Sequence, residues 1–139
     1  MPLLDVVEYL VIKKLASLDE IVKAMYDYFT NSASPSTVAR KHGLSKHAVR
    51  GYSGRLIEKA GGFHRAVAMV KKVAPIIMEL VPSIIERNGS IARCTLCGEK
   101  LWNDVAVLTM HIKHRHPNIV ERYTNMVINR IRESIRAST

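Results

Sequence analysis

Ser34 to Leu56 reads SPSTVARKHGLSKHAVRGYSGRL, and its local chemistry describes two short helices joined by a tight turn. Ser34 is a helix cap, and Pro35 follows at the one helical position where a missing N–H is harmless. The first helix is expected from Pro35 to about His42. Gly43 stops it, because glycine enters the left-handed conformation without a Cβ penalty. Ser45 caps a second helix, with Val49, Tyr52 and Leu56 on one face at helical spacing. Ala39 is small, which lets the second helix cross the first closely. Val38, Leu44 and Val49 are expected beneath the crossing. The other face of the second helix carries Lys46, His47, Arg50, Ser53 and Arg55, all hydrogen-bond donors of the kind that reach phosphates and base edges.

Val38, Ala39, Gly43, Leu44, Val49 and Tyr52 together resemble the helix-turn-helix of DNA-binding proteins; His42 departs, standing where that family has an apolar residue. The resemblance covers about a quarter of the chain and implies that the second helix enters the major groove. Lys46, His47 and Arg50 are then the candidates for base edges, with Arg50 suited to a bidentate contact with guanine. Lys41, Arg55, Arg65, Lys71 and Lys72 are the candidates for phosphates, and Ser53 is a further donor on the same helix. The alternative is an ordinary helical hairpin with solvated lysines and arginines.

Charge favours the first reading. The chain of 139 residues has a net charge of +9, and apolar residues make up 47%. Residues 1–34 carry three Lys/Arg against five Asp/Glu, residues 35–74 carry nine against one, and residues 75–139 carry nine against six. The excess falls on the helix pair and the helix after it, the electrostatic footprint of a nucleic-acid site. No stretch is apolar enough for a membrane span, and no signal peptide is expected.

Leu3 to about Leu15 is expected to form a helix buried on most sides. Ser17-Leu18-Asp19-Glu20 has a capping-box pattern and begins a support helix to about Phe29, with Ile21, Val22, Met25 and Phe29 facing inward. Gly61-Gly62 is a break. Phe63 to Ala74 reads as a basic amphipathic helix that Pro75 ends or kinks. Val73 to Ile85 is apolar nearly all round, is interrupted by Pro82, and is closed by Asn88-Gly89. Three parts follow: a helical body over 1–89 with its helix-turn-helix at 34–60, a small module over 90–117, and an amphipathic helix over 118–139. In the last, Ile119 or Val120, Tyr123, Val127, Ile131 and Ile135 form a stripe, suited to packing on the body or to dimer formation.

The module contains Cys94 and Cys97, then His111 and His116, spaced C-x2-C, thirteen residues, H-x4-H. Two thiolates and two imidazoles are a tetrahedral donor set for Zn²⁺. The spacing resembles the C2H2 zinc finger, a ββα unit, and Leu101 and Leu108 match its small core. It departs in one extra middle residue and in Ala92, where that family has an aromatic. His114, with x2 spacing from His111, is the less suitable fourth ligand. His42, His47 and His64 lie on basic helices and are expected to meet solvent or phosphate. The finger positions that read bases correspond to Asp104, Val107 and Met110, one acidic and two apolar, a poor reading set. The finger is therefore expected to be structural, with Trp102, Val105, Val107 and Met110 as an apolar contact face. Glu99 is expected to play no part in DNA contact. Paired reduced cysteines fit an intracellular setting.

The expected fold is mainly α. The expected function is sequence-specific binding of double-stranded DNA by a homodimer, as a transcriptional regulator. The combination resembles small regulators of archaeal viruses and plasmids. Two rivals are a protein-interaction adaptor using the finger and tail helix, and a replication or packaging protein without sequence preference. An enzyme is not expected, because a four-ligand metal leaves no open position and no nucleophile–base pair is visible.

Overall fold

The computed structural model describes residues 1–137 as a mainly helical chain with a small antiparallel sheet. The helices are α1 (Pro2–Leu15), α2 (Asp19–Asn31), α3 (Pro35–His42), α4 (Lys46–Ala60), α5 (Phe63–Leu80), α6 (Val105–Arg115) and α7 (Pro117–Ala137). The strands are β1 (Ile85–Asn88), β2 (Ile91–Cys94) and β3 (Lys100–Trp102), in the order β1-β2-β3. Among the described residues, no helix is long and apolar enough to cross a membrane.

α1 is the centre of the molecule. Val6, Val7, Leu10, Val11 and Leu15 are fully buried, and α2, α4, α5, α6 and α7 all pack on it. A helix apolar around most of its surface can satisfy that surface only by being enclosed. α7 closes one side through Val120, Val127 and Ile131, which are buried as it packs on α1 and α5. The tail stripe therefore packs largely on its own chain, although Ile135 at its far end stays exposed.

The caps expected around α3 and α4 are present. Ser34 Oγ accepts the Thr37 amide, Ser45 Oγ accepts the Ala48 amide, and Gly43 takes the left-handed conformation at φ 69°. Val38 and Val49 are fully buried beneath the crossing, with Leu44 packed at its edge.

Four expectations are corrected. Ser17 does not cap α2. It has a positive φ of 61°, and its hydroxyl donates to the Ile85 carbonyl at 2.6 Å and accepts the Ile85 amide at 3.0 Å. Leu18 is the residue at the cap position. Pro75 neither ends nor kinks the chain out of helix, since α5 runs through it. Proline inside a helix costs about 3 kcal/mol, but continuing the helix buries Val73, Ala74 and Ile77, and each such side chain contributes on the order of 1.5–3 kcal/mol. α5 stops instead at Leu80, because Pro82 forces Val81 into extended backbone, at φ −93° and ψ 124°.

The apolar run to Ile85 is accordingly not one helix. Ile84 donates its amide to the Leu15 carbonyl at 3.0 Å, and Ile85 begins β1. Asn88-Gly89 is then a hairpin turn, with Asn88 paired to Ile91 and Gly89 at φ 63°. The sheet thus starts at Ile85, before the expected boundary at residue 90. Nor is the module appended loosely: Arg87 reaches the Ser17 carbonyl at 2.9 Å and the Glu20 carboxylate at 2.8 Å.

Finally, His42 is not a solvent or phosphate contact. Its Nε2 lies 2.9 Å from Asp27 Oδ2, with the side chain 15% exposed. A polar partner in α2 explains why histidine is accommodated where an apolar residue was expected.

Candidate functional site

β2, β3 and α6 carry the four expected metal ligands. Cys94 ends β2, and Gly98 turns the chain at φ 77°. The Gly98 amide donates to the Cys94 carbonyl at 2.8 Å, and the Cys94 amide donates to the Glu99 carbonyl at 2.9 Å. These bonds fold Cys97 back beside Cys94. Asp104 caps α6 by accepting the Val107 amide at 3.1 Å, and α6 places His111 against the thiols with Leu108 fully buried behind it. His116 sits at the C-cap, where Ile112 accepts its amide. Pro117 is the first residue of α7.

The donor atoms of Cys94, Cys97, His111 and His116 all lie within 4.8 Å of one another, close enough to bind a metal ion. Cys94 Sγ is 3.4 Å from His116 Nε2, and Cys97 Sγ is 3.6 Å from His111 Nε2. His114 is exposed and outside this group. Burial pushes the Cys94 thiol up and the His116 imidazole down. A neutral imidazole is ready to ligate, whereas the thiol must lose its proton to the metal's charge.

Sequence reasoning missed Glu99. Its Oε2 lies 2.8 Å from His111 Nδ1, so a carboxylate accepts the proton of the ring nitrogen that faces away from the cluster. This contact fixes the tautomer and makes Nε2 the better donor. Its signal in the sequence was only a carboxylate two residues after Cys97.

The α3–α4 pair presents a second feature. Lys46, His47 and Arg50 are exposed, and among the described residues no ion pair engages them. Arg65, Lys71 and Lys72 are exposed along α5. Lys41 is exposed, but its ammonium lies 3.5 Å from Asp27. Hydrogen bonds from Asn31 and His42 hold the Asp27 carboxyl below its usual range against the opposing effect of burial, with a smaller contribution from Lys41. Arg55 faces away from Arg50, over the Tyr52 ring at 5.8 Å. Ser53 is corrected as a candidate contact: it is 4% exposed and donates to the Arg50 carbonyl, because it lies on the buried side with Val49 and Leu56.

Two residues without side chains were also passed over. Gly54 lies one turn beyond Arg50, and Gly51 one turn beyond His47, so all four share the outer face of α4. A Cβ added at Gly54 would meet nothing within 4 Å, and one at Gly51 would meet only the Arg55 guanidinium at 3.9 Å. Each glycine costs a helix interior about 1 kcal/mol relative to alanine. Nothing in the chain's own packing requires either.

Comparison with known proteins adds no relative: no family model, no curated protein and no solved structure matches the chain.

Proposed function

We propose that the chain is a DNA-binding protein in which α3 and α4 act as a helix-turn-helix and a zinc ion braces β2, β3 and α6 as a C2H2 finger. The observation that carries the DNA reading is the outer face of α4. It combines unpaired Lys46, His47 and Arg50 with bare backbone at Gly51 and Gly54, a surface that can approach a groove closely. Lys71, Lys72 and Arg65 extend the positive charge along α5, where phosphates would meet it.

Zinc is favoured by the donor set and its dimensions. Zn–S bonds of about 2.3 Å and Zn–N bonds of about 2.0–2.1 Å in a tetrahedron separate sulfur from nitrogen by about 3.6 Å, against the 3.4 Å and 3.6 Å between the paired donors. Bound there, the ion would supply cross-linking rather than chemistry, because four protein ligands leave it no open position. That closure supports a binding role over an enzymatic one. Asp104 supports a structural finger, since its carboxylate is engaged in capping α6 and would repel phosphate. One small helix pair contacts few base pairs, so a homodimer acting as a transcriptional regulator is the working form.

A selection on random duplex DNA tests the proposal. An enriched motif, symmetric if the protein is a dimer, is the expected result. Uniform, salt-sensitive binding would leave the packaging role, and no binding would remove the proposal. The adaptor reading would then lead, on the strength of Trp102 and Met110, which are 67% and 51% exposed.

A further inference from the structure

α1, α4 and α6 meet around a cavity of about 250 Å³ that lies outside both the metal cluster and the outer face of α4. Four cations line it: Lys13 from α1, Arg55 and Lys59 from α4, and Lys113 from α6. Among the described residues, no ion pair holds any of them. Asp5 and Glu8 are the carboxylates on its wall, so the four cations exceed them by two.

Lys13 is the unusual member. It is only 6% exposed, and the Thr109 hydroxyl, 3.1 Å from its Nζ, is its sole hydrogen-bond partner among the described residues. The faces of Tyr9 and Tyr52, 5.2 Å and 5.5 Å from the ammonium, provide weak cation–π compensation. A buried cation without a counter-charge is costly. The strain registers as a Lys13 pKa lowered to about 8, through burial first and the Arg55 charge second. Beside it, the Tyr9 hydroxyl is buried and makes no hydrogen bond, although the Arg55 guanidinium lies close enough to act on its acidity. A buried hydroxyl left in this state costs roughly 1–3 kcal/mol. Cationic and hydroxyl donors therefore line one cavity, and the acceptors that would satisfy them are missing.

We propose that this cavity binds a phosphate dianion, with Lys13, Arg55, Lys59 and Lys113 as its charged partners and the Tyr9 and Thr109 hydroxyls as neutral donors. Phosphate matches the site in charge, cancelling the excess of two, and in chemistry, offering acceptors on every side. It also matches in place. Lys59 lies about 20 Å along α4 from Lys46 at 1.5 Å per residue, so the site can be filled while the start of α4 is engaged elsewhere. Because Lys13, Lys59 and Lys113 come from three different helices, an anion here would clamp α6 and α4 to α1. The site does not depend on the DNA reading, and its test can succeed or fail without it.

The experiment is a calorimetric titration of the full-length, metal-loaded protein with inorganic phosphate at constant ionic strength. Saturable binding at one site per chain is expected. Lys59→Met and Lys113→Met, both at exposed positions, should each weaken it roughly tenfold, the value of one charge-assisted hydrogen bond, while Lys71→Met on α5 should not change it. Lys13→Met should abolish binding, with its fold checked by circular dichroism. Absence of saturable heat, or parent-like titration of both Lys59→Met and Lys113→Met, would overturn the proposal. Repeating the titration with saturating duplex DNA identifies the source. Phosphate binding that persists assigns a free phosphorylated ligand. Competition, together with weaker DNA binding by Lys59→Met and Lys113→Met, assigns a phosphate of the DNA itself.

Discussion

Replacing Gly54 by alanine separates the stability of α4 from its use. A methyl group at Gly54 meets no atom within 4 Å, and the residue lies inside a helix that runs from Lys46 to Ala60. The substitution should therefore stabilise the protein by about 1 kcal/mol, through helix propensity and a less flexible unfolded chain. In a domain of this size that raises the melting temperature by roughly 4 °C. If the outer face of α4 enters the major groove, the same methyl group stands between His47 and Arg50 where backbone and base edges approach. Holding the helix off by about 1 Å would forfeit a bidentate contact worth about 1–3 kcal/mol, close to a tenfold loss of affinity. Thermal unfolding of the metal-loaded protein gives the first quantity, and fluorescence anisotropy with a selected duplex gives the second. A stabilised Gly54→Ala that binds DNA like the parent would refute the close approach of this face. A destabilised variant would refute the open environment on which the argument rests. Gly51→Ala should behave likewise, with a smaller gain in stability because the Arg55 guanidinium lies 3.9 Å from the new Cβ.

Four other outcomes are expected. Glu99→Ala should weaken metal affinity by about 10–100-fold without removing a ligand, and His114→Ala should leave metal content at one per chain; loss of metal in His114→Ala, with retention in His116→Ala, would reassign the fourth ligand. Lys13 titrates near 10.5 unfolded and about 8 folded, so above pH 8 the unfolded chain retains a proton that the folded chain has lost, and stability rises with pH. The gain from pH 8 to 9.5 is at most about 2 kcal/mol, and urea unfolding should show it in the parent and not in Lys13→Met. Asp27 has a depressed folded pKa, so its contribution is full above the ordinary carboxylate range and is lost as pH falls through the folded value; Asp27→Asn should flatten the acid limb of the urea midpoint against pH. Arg50→Ala should cost about 1–3 kcal/mol and relax preference at one base pair, whereas Lys71→Ala and Lys72→Ala should weaken all sequences alike and each lower the salt slope by about one.

What the sequence determined by itself is chemistry that acts over a few residues. Ser34, Gly43 and Ser45 act within one turn of helix, and they sit at their expected caps. Cys94, Cys97, His111 and His116 converge as their spacing required, because a reversing turn at Gly98 and a helical H-x4-H spacing leave little freedom. Ser17, Pro75 and Asn88 were misread for the opposite reason. Each has a local preference, for a cap, a helix end and a chain stop, and each was overruled or redirected by a partner far along the chain. Ser17 bonds Ile85 across the fold, the core contacts of Val73 and Ile77 carry α5 through Pro75, and Asn88 turns because β1 has β2 to pair with. Tertiary structure alone placed Glu99 behind His111, turned Ser53 inward, and gathered Lys13, Arg55, Lys59 and Lys113 around one cavity. Burial and charge compensation depend on which helix faces meet, and that is decided when α1 is enclosed by its neighbours.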